Sequence, residues 1–146
     1  MKLTIRKLTS LALSLCMVTA MITTFAIARS SAYLSMYSAG CNPRSGGEIA
    51  VWVDVTGTKA KMDRIGADEI YLYESTDGIN FHCEKVFTRS EYPNMTVTNA
   101  NDYYKTAVTY QGTPGYYYYA LVFVYAEKDG GSDTKPYETA VVQARS

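Results

Sequence analysis

Glu48-Ile49-Ala50-Val51-Trp52-Val53-Asp54-Val55-Thr56 is the stretch that decides the fold. Ile49, Val51, Val53 and Val55 fall on one face, and Ala50, Trp52 and Asp54 on the other, which is the two-residue repeat of a pleated strand. Branched side chains pack well on a pleat and poorly in a helix, so the Val/Ile face is the candidate core face. Working outward, short runs rich in Val, Ile, Tyr, Thr and Phe recur between clusters of Gly, Asp, Asn and Pro. No segment after residue 32 carries a helical period of useful length.

Upstream, residues 33–38 read as a strand and 40–47, with Asn42-Pro43, as a turn. Downstream, 57–67 reads as a polar loop and 68–74 as a strand. Ser75-Thr76-Asp77-Gly78 reads as a tight hairpin turn, because Asp-Gly suits its backbone. The returning strand covers about 79–88. Residues 89–102 read as irregular, with a short strand at Met95-Thr96-Val97. Strands are expected at 103–110, 116–127 and 136–143, with a turn at 111–115 and a loop at 128–135. Seven or eight short strands without a helix pack most economically as an all-β, two-sheet antiparallel sandwich. The expected domain is 33–146.

The N-terminus reads differently. Lys2, Arg6 and Lys7 precede residues 8–28, which carry no charge and end on Ala26-Ile27-Ala28. That is the pattern of a signal peptide, a signal helix removed on export, with 1–28 as the leader and a second possible cut after Ala32. Removing the three cations takes Lys plus Arg from 14 to 11 against 14 Asp plus Glu, leaving a charge of about −3. A mildly acidic domain with dispersed charge argues against nucleic acid, and the absence of a basic cluster argues against a membrane partner after cleavage. The expected location is secreted, extracellular. Cys41 and Cys83 then form a candidate disulfide in an oxidising compartment, with two buried free thiols as the alternative.

Residues 69–126 resemble a fibronectin type III-like sandwich. The resemblance rests on the Ser-x-Asp-Gly hairpin after Tyr73-Glu74 and on the alternating Val/Ala strand from Tyr118 to Ala126. It also rests on the Pro114-x-x-x-Tyr118 spacing of a corner tyrosine and on an early Trp, here Trp52, opposite the Val/Ile face. Ile65-Gly66-Ala67, Ile70-Tyr71-Leu72-Tyr73-Glu74, Val108-Thr109-Tyr110-Gln111-Gly112 and Tyr117-Tyr118-Tyr119-Ala120 are similar to small secreted proteins of Gram-positive bacteria. The likeness implies a fold and export, and carries no active site.

Little in the chain reads as catalytic. His82 is the sole histidine, and Cys83 beside it points to the other face of a strand, so the two neighbours cannot form a nucleophilic pair. No metal or cofactor set stands out by spacing. Asp68-Glu69, Glu74 with Asp77, and Asp129 with Asp133 are the carboxylate pairs a glycoside hydrolase would need, and read more simply as turns and strand ends. The candidate ligand-binding feature is the strand 116–127. If Tyr118, Ala120, Val122, Val124 and Ala126 face the core, then Tyr117, Tyr119, Phe123 and Tyr125 form an outward aromatic strip. Such a strip could grip a sugar or a peptide, or only pair across strands with Tyr71 and Tyr73. The expected function is a non-enzymatic module binding an extracellular glycan, wall polymer or protein. The alternatives are an antimicrobial or toxin-like protein, and a small carboxylate-dependent hydrolase.

Overall fold

The structure, a computed structural model, describes residues 31–146. The expected signal helix at 1–28 and the expected cut after Ala28 lie outside the described residues. The domain is an all-β sandwich. One sheet has three strands in the order β1-β2-β6, formed by β1 (Leu34–Pro43), β2 (Glu48–Gly57) and β6 (Asp102–Gln111). The other has six strands: β3 (Met62–Ser75), β4 (His82–Thr88), β5 (Thr96–Ala100), β7 (Tyr117–Lys128), β8 (Gly131–Glu138) and β9 (Val142–Gln143). Its main path is β4-β3-β7-β8, with β5 paired to β3 and β9 to β7. Every pairing is antiparallel. Among the described residues the only helical pieces are single 3-10 turns at Ser45–Gly47 and Pro93–Met95.

The two strands with the clearest alternation supply the core. Ile49, Val51, Val53 and Val55 of β2 are fully buried, as their spacing requires. They face Ile65, Ile70 and Leu72 of β3 and Tyr118, Ala120, Val122, Val124 and Ala126 of β7, all of which are also buried. Each aliphatic side chain withdrawn from water stabilises the sandwich by roughly 1.5–3 kcal/mol before chain entropy is counted.

Among the described residues nine strands form where seven or eight were expected, and the differences have local causes. β3 begins at Met62, inside the segment read as a loop. Met62, Ile65 and Ala67 are buried, but the repeat that Ile65 and Ala67 follow is out of step with Ile70 and Leu72. A β-bulge at Asp68 shifts the register between Ala67 and Glu69 opposite β7, so the inward face changes parity there. Gly66 makes the crossing possible: at φ 145°, an added Cβ would collide with the Met95 carbonyl oxygen. β8 covers most of the expected loop at 128–135 and the start of the expected strand at 136–143, which breaks off before β9. It is an edge strand of small and charged residues held by backbone pairing to β7, so it has no apolar alternation to read. β1 runs on to Pro43, which sits at the end of an edge strand where a missing N–H is tolerated.

The expected Cys41–Cys83 disulfide is absent: both thiols are free. Cys41, on β1, has its Sγ 3.4 Å from Thr139 Oγ1, just past the end of β8, whereas Cys83 sits on β4 at the other edge of the six-stranded sheet. The Cys41 thiol also meets the Ala120 backbone on β7, two strand spacings of about 4.8 Å from β4, while a bridge needs Cα atoms within about 7 Å. Burial pushes the Cys41 thiol up, the effect only partly offset by Thr139.

Candidate functional site

The outer face of the six-stranded sheet holds the aromatic strip that the sequence suggested. The strip is folded onto itself. Tyr119 stacks on Tyr73 across β7 and β3, with ring centroids 4.8 Å apart and planes within 3°, and Phe81 meets the same ring edge-on at 4.9 Å. Phe123 meets Tyr71 in a T-shape at 5.6 Å. Tyr117 lies over the β3–β4 turn, where a Cβ on Gly78 would be 3.4 Å from its ring. These are the cross-strand pairs that stabilise a sheet, by about 0.5–1.5 kcal/mol each beyond area burial.

Tyr125 departs from the expected exposed strip. It is on the outward face but only 8% exposed, because the Arg89 guanidinium lies 4.3 Å above its ring. Its hydroxyl donates to Glu127 at 2.6 Å, and Arg89 also donates through Nε to Asp68 at 3.0 Å. The strip therefore ends in a cation–π lid.

The opposite outer face, on the three-stranded sheet, carries Trp52 in a different posture. Trp52 of β2 pairs with Gly40 of β1 on one side and Thr106 of β6 on the other. A Cβ added to Gly40 would be 2.6 Å from Nε1, Cε2 and Cζ2 of the indole alike. Three adjacent ring atoms at one distance put the glycine against the face of the ring at that edge. The missing side chain is what lets the indole lie down on the sheet. Trp52 then lines a cleft of about 300 Å³ with Asn42, Tyr104, Lys105 and Thr106. Tyr104 is 73% exposed. The Arg44 guanidinium reaches Thr106 Oγ1 at 3.5 Å while pairing with Glu48 at 2.8 Å. A bulge at Ala107, between the Val51–Val108 and Trp52–Thr106 pairs, widens β6 beside the indole. Sequence reading set Trp52 opposite the core face but did not see the cleft. The signal was Gly40, twelve residues upstream, which only pairing brings beneath the ring.

The carboxylates weighed for hydrolysis are engaged elsewhere. Asp68 holds Arg89. Glu69 accepts from the Tyr71 hydroxyl at 2.8 Å. Asp77 accepts from the backbone N–H groups of Asn80 and Ile79 and from the Ser75 hydroxyl, which holds its carboxyl well below the usual range. Asp133 accepts from the Ser31 hydroxyl and the Ala32 amide. Asp129 lies 3.7 Å from Lys128, whose amine also pairs with Asp63.

Glu74 takes part in a different arrangement, with His82 and Glu84, at the β3–β4 hairpin. The donor atoms of these three residues lie within 4.8 Å of one another. No protein-family model matches the chain, and no curated protein matches it.

Proposed function

We propose that the protein is a secreted, non-enzymatic binding module that holds an extracellular glycan, such as a wall polymer, in the Trp52 cleft. One observation carries this reading: the indole lies on Gly40 and borders an open cleft with amide, hydroxyl and amine side chains. A sugar ring presents a C–H face with a slight positive charge and a rim of hydroxyls. The C–H face suits the negative face of the indole. The hydroxyls suit Asn42, Thr106 and Lys105, a few convergent polar groups of the kind that orient a ligand in a small cleft. The strip of Tyr117, Tyr119, Phe123 and Tyr125 is the weaker candidate, because its rings already pair with Tyr73, Phe81 and Tyr71 or lie under Arg89.

Export is part of the reading and rests on the leader pattern at 1–28. A cut after Ala28 fits better than one after Ala32. Ser31 Oγ accepts the Tyr33 and Leu34 N–H groups and bonds Asp133 of β8, and the Ala32 carbonyl accepts from the Thr58 hydroxyl at 2.7 Å. The later cut would remove both residues from the fold. The fibronectin type III-like reading is supported by Tyr118, whose hydroxyl accepts the Thr113 N–H at 2.9 Å, the backbone bond of a corner tyrosine.

The test uses the single tryptophan. Emission from Trp52 should shift or quench as soluble wall glycans are titrated in, and Trp52→Ala should abolish retention on a glycan column. Unchanged emission together with no retention of the native protein across a panel of wall polysaccharides would overturn the reading.

A further inference from the structure

We infer that Glu74, His82 and Glu84 form a binding site for a divalent transition-metal cation of the zinc type. Backbone pairing builds the set. Glu74 of β3 and His82 of β4 are direct cross-strand partners. The register then steps from Tyr73–Cys83 to Leu72–Lys85, which leaves Glu84 as the extra residue of a β-bulge. Bulges re-aim side chains, and this one leaves the Glu84 carboxylate against the same imidazole. Cys83, between the two ligands, pairs with Tyr73 on the outer face and takes no part.

The distances suit a metal. His82 Nε2 is 3.2 Å from Glu84 Oε2 and 3.9 Å from Glu74 Oε1. Ligands bound tetrahedrally at about 2.0–2.2 Å lie about 3.3–3.6 Å from one another. Small side-chain adjustments therefore close the set around one ion. A mixture of one imidazole and two carboxylates suits zinc and its first-row neighbours better than magnesium or calcium, which take oxygen alone.

The far oxygen of each carboxylate is already held. Tyr118 of β7 donates its hydroxyl to Glu74 Oε2 at 2.5 Å, and Tyr110 of β6 donates to Glu84 Oε1 at 3.0 Å. Two strands outside the hairpin thus orient the ligands from behind, leaving Oε1 of Glu74 and Oε2 of Glu84 turned toward the imidazole. Outer partners of this kind commonly govern metal affinity by 10–100-fold.

Charge and access agree. Among the described residues no Lys or Arg pairs with Glu74 or Glu84, so neither carboxylate is already held by a fixed cation. The Glu74 side chain is 14% exposed and His82 61%, so an ion can enter from solvent and keep a position open to water.

Calorimetric titration of the intact chain with zinc chloride at pH 7.5, purified without a polyhistidine tag, tests this. One ion per chain is expected. As His82 is the sole histidine, its imidazole nitrogen resonances report the site without assignment and should move on binding. His82→Gln and Glu84→Gln should each weaken binding at least tenfold, and Tyr110→Phe about tenfold, with melting temperatures in metal-free buffer confirming that the variants fold. No binding at millimolar zinc would overturn the inference. So would a His82→Gln protein that titrates like the native one, or binding that Cys83→Ser removes instead.

Discussion

The two outer faces of this sandwich carry aromatic side chains in opposite states. On the six-stranded sheet Tyr71, Tyr73, Phe81, Tyr119 and Phe123 cover one another, and Arg89 covers Tyr125. On the three-stranded sheet a single indole lies over a glycine beside a cleft. The first face has far more aromatic surface, and the second is the one we propose as the receptor. A ring already in contact with a partner gives up that contact to take a ligand. A ring supported from below by a bare backbone gives up only water. What separates the two faces is the orientation and occupancy of each ring face rather than the number of aromatic residues a face carries.

The largest effect that would break this comparison is on stability. Replacing Tyr119 and Phe123 together by Ser removes a stacked pair and two edge contacts, and should cost about 4 kcal/mol in urea unfolding. Glycan retention by the folded fraction should stay unchanged. A stable double variant that has lost retention would move the site to the six-stranded sheet.

Gly40→Val sharpens the other side. Its Cβ would meet the indole at 2.6 Å and tilt it off the sheet, so glycan affinity should fall about tenfold, or 1.4 kcal/mol, with Trp52 still present. Equal affinity in the native protein and the Gly40→Val variant would show that the posture of the ring does not matter.

Arg89→Ala should uncover Tyr125 at a cost of about 1 kcal/mol, from the lost cation–π contact and a partly exposed ion pair. Chemical denaturation measures it, and glycan affinity should not change. The smallest effect at neutral pH comes from the seam between the faces. Tyr110 and Tyr118 titrate at about 12 in the fold and near 10 when unfolded. Their contribution is complete below pH 10 and is lost as pH rises from 10 through 12, because the unfolded phenols release protons first. Tyr110→Phe should flatten that alkaline decline and lower stability at pH 7 by only about 0.5 kcal/mol, for the partly exposed hydrogen bond to Glu84. A decline as steep as that of the native protein would assign it to other groups.

Reading the chain by period succeeded where one face of a strand is wholly apolar, as in β2 and β7. It failed at β3, where the bulge at Asp68 changes the inward parity, and at β8, where an edge strand is held by backbone bonds rather than by an apolar face. The strip on β7 was legible because alternation assigns side chains to faces. The mutual stacking of that strip was not, because it depends on which strand lies alongside and in what register.

By itself the sequence determined the strands β2 and β7, the aliphatic face each turns to the core and the face on which their aromatic residues emerge, since these follow from the two-residue period of the pleat. Tertiary structure alone decided three things: that Gly40 lies under Trp52, that Cys41 and Cys83 stand on opposite sides of the sandwich, and that Tyr110 and Tyr118 steady Glu84 and Glu74 beside His82. Each joins residues from different strands, and strand order and register are properties of the whole packed chain that no local pattern contains.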